Sequence, residues 1–406
     1  MGISIGLVGL GGFGRGFAPL FKSHPLVSRI ALCDREPDRI RRFADMESWK
    51  DKFNPRDAYT SLDAICASDL DALVIITQPW LHAAQCIQAM ESGKHVFSAV
   101  PIVSIPDDDE TLGWCDKLIE TCRRSGKHYM LGETSYYLPS AMFARRQAAA
   151  GAFGDFVYAE GEYFHDVDYA FKNLRKVRQH RLNSQSGQEW LAREARYWKN
   201  GKMGGPMHYP THSTCGPVCV MNAHAVKATA YGFRNRNQDP FFQYAAFSNE
   251  TALFKMSNDA VVRICEFREA AVNEAETFRV YGTKGSFLNA REEGKPGLWM
   301  ENGRDAPDSA RPLVKHEMPV VEMRDALPPE VLAAFSGADV TNVFGGHGGS
   351  HPYLVHEFVD AVAYNRQPVI NAWEAVRYMA MGVMAHRSAL RDGETVSVPD
   401  WGDAPA

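Results

Sequence analysis

Two short stretches of this 406-residue chain hold residues whose types and spacing could do chemistry. The first is Gly9-Leu-Gly11-Gly12-Phe13-Gly14, which follows the apolar run Ile5 to Val8 and opens a helix-compatible segment. Glycine at the first position permits a tight turn, and at the third it lets backbone N–H groups approach a pyrophosphate. At the sixth it lets helix pack on strand. The N-terminus of the helix adds orphan donors and a positive dipole end. A second apolar run, Ile30 to Cys33, ends at Asp34, placed to bind ribose hydroxyls. Strand, glycines, helix and acid in this order predict a dinucleotide site built from Gly9, Gly11, Gly12, Phe13, Gly14 and Asp34. The Asp34 carboxylate would repel a 2′-phosphate and favours NAD; Arg35 and Arg39 beside it leave NADP as the alternative.

The second stretch is Gly204-Gly-Pro-Met-His208-Tyr209-Pro-Thr-His212. A phenol and an imidazole three residues apart are proton-transfer groups, and equally serve as packing residues on an irregular segment. His208 with His212, and His347 with His351, have a spacing that binds zinc only on a helix with a third ligand. Pro210 interrupts the first pair and Gly348–Gly349 the second, so no metal site is expected. The eight cysteines lack zinc-type CxxC spacing, and Cys33, Cys66 and Cys86 sit in apolar stretches. They, like Cys215 and Cys219, read as reduced core thiols of a cytoplasmic protein.

The elements that would position these residues follow a simple order. Over residues 1–135 strand-like and helix-like runs alternate, as a doubly wound parallel sheet requires. The stretch 37–53 is charged and helix-compatible; 72–76, 95–100 and 129–131 read as strands, and 80–92 and 109–125 as helices. Ligands collect at the carboxyl ends of such strands, which places Thr77, Gln78, Pro79, His82, Val100, Pro101 and Glu133 near the cofactor. His82 fits beside the nicotinamide or as a helix-capping residue. After a helix near 139–150 the rhythm changes. Strand-like runs at 156–164, 226–233, 251–256, 260–268 and 277–281 predict an antiparallel sheet with an open face. Residues 171–204 read as a long basic loop whose charges, Lys199 included, are solvated or reach an anionic substituent. Residues 301–312 read as a surface excursion, and helices are expected near 353–364 and 372–391. The expected fold is therefore α/β plus α+β: a Rossmann domain over 1–135 and a substrate-binding, oligomerising domain over 136–406. The last helices are expected to pack back on the first domain.

Composition excludes several classes. A net charge of −5 gives no footprint for nucleic acid or an anionic membrane. No apolar run approaches a membrane span, and a start directly in the first strand leaves no room for a signal peptide.

Together, the Gly-rich start, Thr77-Gln-Pro79 with His82, the strand meeting Pro101, and Val280-Tyr-Gly-Thr-Lys-Gly-Ser286 resemble the glucose–fructose oxidoreductase/inositol dehydrogenase (Gfo/Idh/MocA) family. The resemblance covers nearly the whole chain. It implies NAD(P) in a Rossmann domain and a sugar or cyclitol against an open C-terminal sheet. Ordinary dehydrogenases of that family carry Glu-Lys-Pro at the fifth strand and an Asp four residues before a catalytic His. This chain reads Ala99-Val100-Pro101 at the first motif and His208 in place of that Asp. Tyr209-Pro-Thr-His212 instead resembles the family's NAD-dependent glycosidase branch, the family 109 glycoside hydrolases. Phe164-His165-Asp166 and the segment 345–350 around His347 are similar to that branch too. The resemblance implies Tyr209 and His212 as catalytic groups and Tyr136, His165, Asp166, His208 and His347 as substrate contacts. It also implies a homodimer or homotetramer, which an uncovered apolar sheet face would favour.

The implied route is redox-neutral. Oxidation at C3 acidifies the C2 proton, a base removes it, the C1 substituent leaves, water adds, and C3 is reduced again. His212 is assigned the C3 hydroxyl proton, and Tyr209 either the C2 proton or the leaving group. A plain NAD(P)-dependent sugar or cyclitol dehydrogenase is the competing enzyme. A non-catalytic NAD-bound regulator is the competing class; intact Tyr209 and His212 and the lack of a basic patch speak against it.

Overall fold

A computed structural model describes residues 2–169, 174–302, 312–337 and 342–405. Among them, six strands form the first sheet: β1 (Ile3–Val8), β2 (Val27–Cys33), β3 (Phe53–Tyr59), β4 (Ala72–Ile75), β5 (His95–Ser98) and β6 (Tyr129–Leu131). All pair in parallel, in the order β3-β2-β1-β4-β5-β6. β4 and β5 are buried along their whole length, which is why they read as continuous apolar runs rather than alternating ones. Helices α1 (Gly12–Ser23), α2 (Pro37–Ala44), α3 (Leu62–Cys66), α4 (His82–Glu91) and α5 (Asp108–Ser125) make the crossovers. The strand order reverses between β1 and β4, and a crevice opens there at the carboxyl ends. The charged stretch 37–53 is helical only to Ala44. A 3₁₀ turn follows and then β3, a strand that exposed Asn54 and Arg56 disguise in the sequence.

Helix α6 (Pro139–Ala149) leads into the second sheet. Its strands are β7 (Phe156–Phe164), β8 (Ala225–Phe233), β9 (Asn249–Met256), β10 (Val261–Phe267) and β11 (Ala275–Gly282). They continue with β12 (Gly285–Leu288), β13 (Gly297–Asn302), β14 (Leu313–Met318) and β15 (Val396–Ser397). The order is β14-β13-β12-β11-β7-β10-β9-β8-β15. Every pairing is antiparallel except β7 with β10, which run parallel from Tyr158↔Val261 to Phe164↔Phe267. One face is open: Tyr231, Leu253 and Val261 are exposed on it, while Ala230 and Ala252 face the core. The excursion expected at 301–312 falls largely on residues outside those described.

The long loop expected over 171–204 is instead a helical hairpin, α7 (Leu174–Leu182) and α8 (Gln185–Lys199). Ser184 caps α8 by accepting the N–H of Gly187, at 3.1 Å. The apolar spacing is faint because the hairpin is anchored at few points, chiefly Trp190 and Tyr197, rather than along a stripe. Helix α9 (Thr211–Met221) begins directly after Pro210 and lies buried on the inner face of the second sheet. The short helices α10 (Val320–Met323) and α11 (Pro329–Phe335) follow β14. Helix α12 (His351–Ala363) packs on α1, with Phe17 over His351 at 4.2 Å and Phe21 edge-on to Phe358. Helix α13 (Ala372–Leu390) packs against β8 and α5, and Leu131 of β6 donates to the carbonyl of Ile370. No helix of the described residues is long and apolar enough to cross a membrane.

Candidate active site

The crevice of the first sheet continues into a cleft of about 1350 Å³ that reaches the inner face of the second. It exceeds the roughly 300–1,000 Å³ usual for one small ligand and has room for two. Gly9, Gly11, Gly12, Phe13, Gly14, Asp34, Arg35, Thr77, Gln78, Pro79, His82 and Val100 all line it. At one end the glycine turn forms a cradle. Gly9 has φ +91°, and a Cβ there would lie 2.2 Å from the Ile76 carbonyl; a Cβ at Gly14 would lie 2.0 Å from the Gly9 carbonyl. No such contact exists at Gly12, so the backbone facing the cleft is bare, and Gly11 caps α1 with no side chain. A bare helix N-terminus suits a diphosphate. Asp34 Oδ2 accepts the Leu10 N–H at 2.8 Å and Oδ1 the Glu36 N–H at 2.9 Å, holding the acid at the turn.

His82 is buried at the start of α4, where its Nδ1–H donates to the Pro101 carbonyl at 2.9 Å. Burial pulls its pKa down to about 4, so it is a neutral ring. Pro101 itself does not line the cleft; it follows a cis peptide from Val100 and holds His82 from behind.

At the other end Tyr209 and His212 stand together, their rings 5.6 Å apart. The 3₁₀ turn Pro206–His208 and the first turn of α9 fix them. His212 Nδ1 donates to Glu133 Oε1 at 2.7 Å; Glu133, wholly buried, also takes the Ser135 N–H at 2.9 Å. Glu133 thus holds the imidazole and is absent from the cleft lining. Burial opposes charge on His212, but Glu133 and the nearby Glu276 outweigh it and lift its pKa to about 9. Burial likewise raises the Glu133 carboxyl, and the His212 charge overcomes it to hold that carboxyl below its usual range. The Tyr209 hydroxyl, 3.4 Å from the Val100 carbonyl, is pushed by burial to about 12.

The structure adds groups that the sequence reading did not name. Tyr163 lies 5.1 Å from His212 and 6.5 Å from Tyr209 between ring centres, and shares a 2.5 Å hydrogen bond with His165 Nδ1. Arg268 sits over its ring at 4.6 Å and donates to the buried Glu266 at 2.7 Å. Burial raises Glu266 to about 7; it also accepts from Ser213, the neighbour of His212. Glu274 and Glu276 line the same wall. The signal for Tyr163 was present: in β7 it shares a face with Ala159 and Gly161, opposite to Tyr158, Glu160 and Glu162.

Of the expected substrate contacts, His165 and His347 line the cleft, whereas Tyr136, Asp166 and His208 do not. Tyr136 turns into the protein, under the Arg145 guanidinium at 3.8 Å. Asp166 is occupied with the backbone N–H groups of Asp168, Tyr169 and Ala270. His208 joins Asp108 and His386, whose ligand-type atoms lie within 4.8 Å of one another. Hydrogen bonds already use those atoms. Gly205 N–H donates to His208 Nδ1, so Nε2 carries the proton given to Asp108 at 2.9 Å. His386 donates to Glu250 at 2.8 Å and to the Met203 carbonyl at 3.0 Å; it is an imidazolium, lifted against burial to about 9. Protonated nitrogens offer no lone pair to a cation. Glu250 in turn accepts the Met207 N–H at 3.0 Å, so this network braces the segment that presents Tyr209.

Helices α7 and α8 roof the cleft. Trp190 stacks on Trp80 at 4.9 Å and 15°, and Tyr197 and Arg193 both donate to Glu110 at 2.6 Å. Lys199, at the far end of α8, does not line it.

Sequence comparisons agree with this architecture. The profile for the oxidoreductase family, NAD-binding Rossmann fold, matches residues 3–133, and that for its C-terminal alpha/beta domain matches 211–398. A glycosyl hydrolase family 109 protein of Solibacter usitatus (strain Ellin6076) is 22% identical, over 98% of this chain and 88% of its own. One of Stenotrophomonas maltophilia (strain K279a) is 26% identical, over 92% and 84%. Among solved structures, a levoglucosan dehydrogenase in complex with NADH superposes with a TM-score of 0.71 at 17% identity, covering 98% of this chain and all of that one. With both of its halves matched and both of its sheets in place, the chain belongs to the Gfo/Idh/MocA oxidoreductase family, as an enzyme with an NAD-binding Rossmann domain.

Proposed function

We propose that this enzyme acts on a carbohydrate and cleaves a glycosidic bond without net oxidation. The observation that carries this reading is the presence of two separate proton-transfer systems around one space, with Val100 where dehydrogenases of the family carry lysine. Dehydrogenation of an alcohol needs a single base. Here His212, paired with Glu133, stands beside Tyr209 and Tyr163, which have their own partners. The cofactor, held by Gly9–Gly14 and Asp34, supplies reversible two-electron oxidation when bound.

The residues divide the remaining work. His212 takes the proton of the hydroxyl being oxidised, and Glu133 stabilises the resulting imidazolium. Oxidation at C3 makes the C2 proton acidic, and its loss expels the C1 substituent. Burial keeps Tyr209 a neutral phenol, the form that protonates a departing oxygen. Tyr163, beside it, takes the C2 proton as it passes its own hydroxyl proton to His165 Nδ1 along their hydrogen bond. The names of the two family 109 relatives support the same reading.

The test is incubation with NAD⁺ and a panel of nitrophenyl glycosides, reading aryl release and 340 nm absorbance together. Aryl release with solvent deuterium at C2 and no accumulating NADH is the expected result. NADH formed from free sugars, with no aryl release, would make the protein a dehydrogenase.

We also read the cofactor as NAD rather than NADP. Asp34 is buried at the ribose end and fixed by two backbone N–H groups, with Arg39 drawn onto it and onto Glu36. In Asp34→Asn the repelling charge goes and Arg35 and Arg39 stay. The preference for NADH over NADPH in fluorescence titrations should fall about tenfold, equivalent to about 1.4 kcal/mol. An unchanged ratio would show that Asp34 does not select.

A further inference from the structure

Helix α7 reads Leu174-Arg-Lys-Val-Arg-Gln-His-Arg181-Leu182, strongly basic and without an acid, in a chain of net charge −5. Four of its side chains, Lys176, Arg178, His180 and Arg181, line the cleft roof. The arginines that line the cleft differ in one respect. Arg35 meets Glu189, Arg39 meets Asp34 and Glu36, Arg178 meets Glu194, and Arg268 meets Glu266. Arg181, at the exposed end of α7, has no hydrogen bond or ion pair from its guanidinium among the described residues.

Its placement is nevertheless built. The Arg181 carbonyl accepts the Ser184 hydroxyl at 2.7 Å, the same serine that caps α8, and α8 is pinned by the Trp80–Trp190 stack. The end of α7 is therefore tied to the first domain. Arg181 lines the same cleft as Tyr209 and His82, and its positive charge opposes burial at the Tyr209 phenol and also acts on His82. The sheet side of the same cleft carries Glu276, near His212 and Tyr163, and Glu274, beside His165. The space between is polarised, with a cation on the roof and carboxylates on the sheet. A carboxylate on the substrate would be drawn to the cation end of such a field and turned away from the carboxylates, which fixes the orientation of the ring.

We propose that Arg181 is a specificity-determining residue that binds a carboxylate on the substrate, as a uronic acid or its glycoside would present. The inference rests on the carbohydrate reading above. A planar guanidinium grips a carboxylate through two parallel N–H donors, a geometry that lysine lacks. The carboxylate would hold the ring with its other face toward Tyr209, Tyr163 and His212.

The experiment follows the fluorescence of the NADH-loaded protein during titration with D-glucuronate and D-galacturonate, and with D-glucose and D-galactose. Wild type, Arg181→Gln and Arg181→Lys are compared. One uronate is expected to bind at least about tenfold tighter than its neutral parent, the range of a charge-assisted contact. Arg181→Gln should erase that preference and Arg181→Lys should restore part of it. Equal affinities, no binding of either class, or a preference that survives Arg181→Gln would overturn the proposal. So would a loss of NADH affinity in Arg181→Gln, which would assign the arginine to the cofactor. Failure of the glycosidase reading looks different: the uronate would bind through Arg181 while the nitrophenyl uronide stayed uncleaved.

Discussion

His212→Ala is expected to lower kcat by about 10²- to 10⁴-fold, the usual worth of a positioned acid–base group, with NADH binding retained. The same imidazole should write the pH dependence. A base must be neutral to accept a proton, and Glu133 and Glu276 hold His212 charged up to about 9. The kcat/KM of the wild type should therefore climb with pH and level off only above about 9. Glu133→Gln removes the nearest anion but keeps an oxygen able to accept the Nδ1–H bond. Burial, which lowers the imidazole, is then opposed far less. The ascending limb should move down by more than one pH unit, and the plateau should fall because the imidazolium formed during reaction has lost its counter-charge. A limb that stays near 9 in Glu133→Gln would sink the pairing. A plateau unchanged in His212→Ala would sink the assignment of His212 as the base.

The parts of this molecule that sequence made legible are the local ones. The glycine turn, Asp34 and the apolar strands of the first sheet each declare themselves within a few residues, because a parallel strand buried on both faces needs no partner to be recognised. Tyr209 and His212 were visible together since one turn of chain carries both. What made them a site was not local. Glu133 comes from the end of β6, Tyr163 from β7, and Arg268 with Glu266 from β10 and its exit, and only the folded sheets bring them to His212. Side-chain direction was also hidden: Tyr136 turns its ring under Arg145, and Asp166 and His208 spend their polar atoms elsewhere. The hairpin α7–α8 escaped notice because its polar length hides two anchoring rings, Trp190 and Tyr197.

The position of helix α9, which carries His212, depends on a residue with no side chain. Gly161 lies in β7 beneath the first turn of α9, where a Cβ would stand 1.8 Å from the Ser213 carbonyl oxygen and 2.9 Å from Ile264 Cδ1. The first of these is backbone of the residue after His212, so no flexible side chain can swing away to make room. In Gly161→Ala either β7 must bow or α9 must lift. Overpacking of this kind costs about 1–3 kcal/mol, and a thermal melt should report a corresponding loss. The larger effect is expected on rate. A displacement near 1 Å of a reacting group costs roughly 10²-fold, and α9 carries His212 away from Glu133, which stays with β6. Cofactor binding should survive, because the glycine cradle belongs to the other sheet. Gly16→Ala is the control: it lies in α1, a Cβ there meets nothing within 4 Å, and alanine favours a helix. That variant should melt no lower than wild type and keep its kcat. If Gly161→Ala retained full kcat at wild-type stability, the seat of α9 would have to be softer than its contacts with β7 imply, and the geometry of His212 would owe its precision to Glu133 alone.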